Sequence, residues 1–264
     1  MKEQILSHIS TECPWRDTLY WYDTIDSTNT QAKALAKDGA PAGTVLVAGN
    51  QTSGRGRMGR SFSSPEGMGV YFSVILRPDC KAEDLMHLTC AAAVAACKAV
   101  KSASGIFPGI KWINDLACGK EKLGGILTEM SVNTNGLVDW AVVGIGINCC
   151  QRKADFPKEL QSMATSLLLQ TGKPCPPTLL AARLTEALFE MNKMLLNKPQ
   201  IMDLYRQHCI TLGQQILVVR GEETAYGVAL DLDENGGLLV RFADGTEKIV
   251  NSGEVSIRGM YGYV

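Results

Sequence analysis

Gly54-Arg55-Gly56-Arg57-Met58-Gly59-Arg60 packs three arginines and three glycines into seven residues, between two runs that read as buried strands. Ahead of it, Thr44-Val45-Leu46-Val47-Ala48 is short and apolar. Behind it, Val70-Tyr71-Phe72-Ser73-Val74-Ile75-Leu76 is β-branched and aromatic, and Pro78 follows. No acidic residue occurs from Asn50 to Pro65. Arginine grips phosphate or carboxylate through two parallel N–H bonds. Glycine lets a backbone come close and present bare N–H groups. The loop therefore reads as a cradle for a small anion. On the loop alone, a solvent-exposed basic turn or an RNA-binding patch remains an open alternative.

Working outward, Asp26-Ser27-Thr28-Asn29 offers caps for a helix through Gln31–Ala36, which Gly39 closes. Residues 82–103, rich in Ala, Leu and Met, read as one long buried helix ended by Gly105 and Pro108. Ile110–Ile113 is a brief strand leading into Asn114-Asp115. Lys122–Met130 and Leu137–Ile147 read as a strand pair turned at Asn133-Thr134-Asn135-Gly136. Leu180, Leu184, Leu188, Met191 and Leu195 recur at helical spacing within 178–196. After Gly213 come five short strand-like runs, Gln215–Arg220, Glu223–Asp231, Gly237–Ala243, Thr246–Val250 and Glu254–Arg258, separated by glycine turns. The fold expected is α+β: a mixed central sheet flanked by helices over residues 1–212, and a small C-terminal β-barrel over 213–264.

Composition excludes several classes. In 264 residues, 26 Lys+Arg stand against 27 Asp+Glu, a formal net charge of −1, which speaks against a broad nucleic-acid or membrane-surface face. No run of about 18 apolar residues occurs, so no membrane span is expected. The first fourteen residues lack the basic-then-apolar order of a signal peptide. Nine cysteines are scattered without a Cys-x-x-Cys pair. They read as reduced packing residues of a cytoplasmic protein. The three histidines lack zinc-ligand spacing.

Four further segments carry chemistry. Lys111-Trp112-Ile113-Asn114-Asp115 sets a cation, an aromatic, an amide and a carboxylate at a strand end. Lys122 opens a strand with Gly124-Gly125 behind it, and Gly144-Ile145-Gly146-Ile147-Asn148 closes the next. Glycine inside a strand implies close approach by a ligand or another backbone. Ser27 and Thr28 are helix caps or binding residues.

Taken in order, these segments resemble the bacterial biotin–protein ligases, also called biotin–[acetyl-CoA-carboxylase] ligases. The resemblance runs from about Tyr20 to Gly259 and includes the tail Gly253–Arg258. It implies a class II synthetase-like ligase core that joins biotin and ATP into biotinyl-5′-AMP. The biotinyl group then passes to a lysine of a biotin carboxyl carrier protein, of acetyl-CoA carboxylase or another biotin enzyme. It assigns Ser27, Thr28, Asn29, Gln51, Gly54, Arg55, Gly56, Arg57, Lys122, Gly144 and Gly146 to biotin. Arg55, Arg57, Arg60, Phe62, Lys111, Asn114 and Asn148 go to the nucleotide. Lys122, Arg57 and Asp115 are expected to be catalytic; Asp115 acts on the incoming lysine, the favoured role, or helps to hold the metal. Mg²⁺ is expected with ATP, without dedicated protein ligands. Glycine content predicts a loop that is mobile when empty and orders over the adenylate. Ile113 and Gly124 replace the family's usual Pro and Ala without removing a charge. Only about 20 residues precede the core, so a helix-turn-helix module, and with it DNA binding, is not expected. The protein is expected to be a monomer or homodimer. A lipoate–protein ligase and a non-catalytic biotin-binding protein are the alternatives.

Overall fold

The two apolar runs beside the arginine loop become adjacent strands of one mixed sheet in the computed structural model, which describes residues 1–251 and the backbone of 256–259. Its strands are β1 (Leu19–Ile25), β2 (Val45–Gln51), β3 (Gly69–Leu76), β4 (Gly109–Lys111), β5 (Asp115–Cys118), β6 (Glu121–Val132) and β7 (Val138–Asn148). Their spatial order is β1-β2-β3-β7-β6-β5-β4. β1 and β2 run parallel, and all the other pairs are antiparallel. β3 is buried along its whole length. Both its faces are covered, which is why its sequence shows no polar alternation.

Helices α1 (Lys2–His8), α2 (Thr28–Lys37), α3 (Leu88–Ser104), α4 (Leu167–Thr171), α5 (Pro177–Lys193) and α6 (Lys198–His208) flank this sheet. Ala32 and Ala36 of α2 pack on Leu46, Ile75, Trp140 and Val142. The larger core on the opposite face is built around α3 and α5. The long helix expected over 82–103 is broken. Ala82–Leu85 is a 3₁₀ turn, and α3 starts only at Leu88. At the break, fully buried His87 donates its Nε2–H to the Leu195 carbonyl at 2.7 Å. Burial lowers the pKa of this imidazole, so a neutral ring with one donor satisfies that carbonyl.

β8 (Gln215–Arg220), β9 (Glu223–Leu232), β10 (Leu238–Phe242), β11 (Glu247–Val250) and β12 (Ser256–Gly259) form a separate small antiparallel sheet in the order β11-β10-β9-β8-β12. These meet the five expected runs. Of the fifth, Glu254 and Val255 lie outside the described residues, as does Gly253 of the tail. β1, β5, α1, α4 and α6 were not read from the sequence. For α6 the signal was present: Asn197 accepts from the Gln200 N–H as N-cap and Pro199 sits in the first turn. Ile201, Met202 and Tyr205 follow at helical spacing and are buried. No helix among the described residues is long and apolar enough to cross a membrane.

Candidate active site

The sheet, the start of α2 and the arginine loop enclose a cavity of about 650 Å³, within the range of small-molecule and cofactor pockets. One wall is neutral and buried. Ser27 caps α2, so Thr28 and Asn29 fall in its first turn, and all three are less than 5% exposed. Gln51, at the end of β2, accepts from the Thr28 N–H at 2.9 Å and donates to Ser64 Oγ at 2.9 Å. Ser73, fully buried on β3, reaches Thr28 Oγ1 at 2.8 Å and Asn29 Oδ1 at 2.6 Å. Buried polar groups are costly unless paired, and here each is held by another before any ligand enters.

The facing wall is cationic. In the loop, the Gly56 N–H donates to the Arg60 carbonyl at 2.7 Å, and Arg55 bridges to Ser61. Met58, at φ 55° and ψ 38°, supplies the left-handed residue that turns the chain back. Arg57 donates Nη1–H to Asn114 Oδ1 at 2.9 Å. Burial depresses the pKa of its guanidinium, while the charge of Asp115 opposes the shift. Lys122 Nζ sits 2.7 Å from Asp115 Oδ1. Lys111, on β4, is buried. A partly buried cluster of this kind favours anions, because each entering negative charge offsets the desolvation of the cations.

The β4–β5 hairpin that bears Asn114 and Asp115 is held from below by the C-terminal part of the chain. Trp112 donates its backbone N–H to Thr211 Oγ1 at 2.9 Å and its indole N–H to the Gly236 carbonyl at 2.8 Å. Tyr205, fully buried on α6, donates its hydroxyl to the Ile113 carbonyl at 3.2 Å.

Sixteen of the seventeen residues singled out from the sequence line this cavity: Ser27, Thr28, Asn29, Gln51, Arg55, Gly56, Arg57, Arg60, Phe62, Lys111, Asn114, Asp115, Lys122, Gly144, Gly146 and Asn148. Gly54 is not among the lining residues. A Cβ there would meet the Phe62 carbonyl at 2.4 Å, so its backbone packs against its own loop. The two strand glycines line the cavity and accommodate protein side chains at its wall. A Cβ on Gly144 would fall 1.9 Å from Asn29 Oδ1, and one on Gly146 would fall 2.6 Å from the Phe62 ring. Phe62 lies edge-on to Tyr71, which also lines the cavity. Sequence reasoning did not single out Tyr71, Ser73, Tyr205 or Glu129. Each reads as an ordinary strand or helix residue until the register brings it to the site.

Comparison with known proteins agrees with this layout. The profile described as "Biotin/lipoate A/B protein ligase family" matches residues 21–148, and "Biotin protein ligase C terminal domain" matches 211–258. The chain is 37% identical over 239 residues to the bifunctional ligase/repressor BirA of Bacillus spizizenii, covering 89% of this chain and 72% of that protein. It is 31% identical to the biotin–[acetyl-CoA-carboxylase] ligase of Mycobacterium tuberculosis, over 87% and 85% of the two chains. Among solved structures, the biotin protein ligase of Aquifex aeolicus in complex with biotin and ATP superposes with a TM-score of 0.76 at 31% identity, over 91% of this chain and 98% of that one.

Proposed function

The chain belongs to the biotin/lipoate A/B protein ligase family, and on that premise we propose how its cavity works. It is a biotin–protein ligase: it activates biotin with ATP and transfers the biotinyl group to a carrier protein. The observation that carries the residue assignments is the meeting of a neutral, internally saturated wall and a cationic wall in one cavity. The neutral wall of Ser27, Thr28, Asn29 and Gln51 takes the cyclic urea, which needs uncharged donors and acceptors. The cationic wall takes the two anions that must react.

In the first step a biotin carboxylate oxygen attacks the α-phosphorus and pyrophosphate leaves. Arg55, Arg57 and Lys122 offset the repulsion between the two anions and the charge that develops at phosphorus. Arg60, Lys111, Asn114, Asn148 and Phe62 hold the nucleotide. In the second step the carrier's lysine amine attacks the acyl carbon and AMP leaves. Asp115 takes the proton that the amine loses. Lys122 ion-pairs with Asp115 when no ligand is present, and its move toward the phosphate exposes the carboxylate for that task. Mg²⁺ would enter as part of the ATP substrate and supply charge neutralisation to its phosphates. Among the described residues no group of three or more His, Cys, Asp or Glu is placed to hold a metal ion.

The same reading divides the chain into a catalytic unit, 1–212, and a small C-terminal unit, 213–264; the C-terminal profile beginning at residue 211 supports it. The acceptor is the carrier domain of acetyl-CoA carboxylase or another biotin enzyme. The net charge of −1 weighs against a broad DNA-binding face, and nine free cysteines favour a reducing, cytoplasmic compartment, where the protein acts as a monomer or homodimer.

Intact-mass spectrometry of a carrier domain incubated with the protein, Mg·ATP and biotin tests the whole reading. One biotinyl addition, lost with Lys122→Ala, is expected. Biotin binding without addition would make the protein a sensor, and modification by lipoate alone would assign it to the other branch of the family.

A further inference from the structure

Glu129 stands on β6, 100 residues from Asn29 in the chain, behind the neutral wall. Its carboxylate gathers Lys33 Nζ at 2.7 Å, Asn29 Nδ2 at 3.1 Å and Arg55 Nη1 at 3.7 Å. It is not among the residues lining the cavity, so it reaches a ligand only through these partners.

The amide of Asn29 shows what this achieves. On one side it faces two groups that only accept, Glu129 Oε2 and the Leu127 carbonyl at 3.3 Å. On the other it faces the Ser73 hydroxyl at 2.6 Å. An amide nitrogen donates and does not accept, whereas its oxygen accepts and does not donate. With a carboxylate beside it, the amide has one sensible orientation: NH₂ toward β6, oxygen toward β3 and β7. The oxygen keeps a second lone pair, and the missing Cβ of Gly144, which lines the cavity, lets that oxygen sit close against β7 at the cavity wall. Burial alone would raise the pKa of Glu129. Hydrogen bonds from Lys33 and Asn29, with the charges of Lys33 and Arg55, outweigh burial and hold it below the usual carboxylate range. The group is therefore an acceptor at neutral pH.

We propose that Glu129 is a positioning residue that fixes the Asn29 oxygen toward the cavity and so selects substrates carrying a ring N–H over carboxylic acids whose ring has none. The proposal rests on the reading of the cavity as a biotin site. Lys33 acts with it by holding the carboxylate in place.

The test uses the full chain and measures adenylate formation by ATP–pyrophosphate exchange. In Glu129→Gln the new amide can present its own NH₂, and Asn29 is then free to turn over. The expected result is a KM for biotin raised about tenfold, the size of one charge-assisted hydrogen bond. The KM for ATP and kcat stay within about twofold, and the melting curve stays near wild type. Desthiobiotin, which keeps the cyclic urea, should lose the same factor. Glu129→Asp restores a carboxylate and should recover part of the loss. It also serves alone if Glu129→Gln does not fold, a raised biotin KM with unmoved ATP KM again being expected. An unchanged biotin KM overturns the proposal. So does an equal rise in both KM values with a fall in kcat, which would place the effect in Arg55. A wild-type chain that forms no adenylate with biotin overturns the biotin reading itself, whereas an active wild type with a silent variant overturns only the role of Glu129.

Discussion

The two walls of the cavity are built on opposite principles. The neutral wall is rooted in α2, β2 and β3, its residues are buried except for the half-buried Gln51, and its groups are bonded to one another. The cationic wall hangs on a loop and a short hairpin. Arg55 there is 45% exposed, and Lys122 and Arg57 are held by Asp115 and Asn114, partners they must share or leave when anions arrive. The neutral wall recognises by being finished in advance, and rigid preorganisation keeps the entropy cost of binding low. On the proposed reading the cationic wall works by exchange: charge held by the Lys122–Asp115 pair is redirected to the transition state. Mutations in the first should therefore change binding and stability, and mutations in the second should change rate.

The sharpest way to break this contrast is Lys122→Met. We expect adenylation to fall by about a thousandfold, as when a transition-state charge partner is removed. Stability should fall by only about 1 kcal/mol, because the pair is partly buried, at 32% and 18% side-chain exposure, and solvent still screens it. A large loss of stability would mean that the cationic wall is structural after all. Gly144→Ala tests the other side. Its methyl displaces Asn29, so thermal and urea unfolding should show a loss of about 1–3 kcal/mol, with a drop in biotin affinity measured by calorimetry and ATP binding retained. Tyr205→Phe removes the donor to the Ile113 carbonyl and should cost about 1 kcal/mol. It should slow catalysis only through the hairpin that carries Asp115, so kcat should fall while the KM for biotin holds.

Acid separates the walls as well. Glu129 has a lowered pKa in the folded state, so its contribution is present above the unfolded carboxylate pKa and is lost as pH falls through the folded value. The stability difference between wild type and Glu129→Gln should be constant near neutrality and shrink in acid; a difference that grows there would contradict the pairing. The smallest effect concerns the thiols. Burial pushes Cys118 and Cys175 up to about 11, leaving roughly 0.1% thiolate at pH 8. Thiol-reactive dye should label them slowly in the folded protein and rapidly after denaturation.

Much of this was legible before any coordinates. Glycine turns, cap residues and apolar spacing are short-range signals, and they placed β2, β3, β6, β7, α5 and the five C-terminal strands. The arginine loop and Lys111–Asp115 marked a cluster of charged and polar groups because the chemistry of those side chains does not depend on their neighbours. What local signals left out has one cause. The helix over 82–103 reads as continuous because nothing local shows that His87 is needed by Leu195. Gly144 and Gly146 read only as points of close approach because Asn29 and Phe62, the neighbours they accommodate, lie far away in the chain.

From the sequence alone came the element types, the anion chemistry and the order of motifs that marks the family, since each depends on residues a few positions apart. Tertiary structure alone decided that Ser73 and Glu129 orient Asn29 and that Lys122 rests on Asp115. It alone showed Tyr205 and Gly236 steadying the hairpin that carries Asp115. Those pairings are set by strand register and helix docking, where a one-residue slip would turn each side chain to the other face.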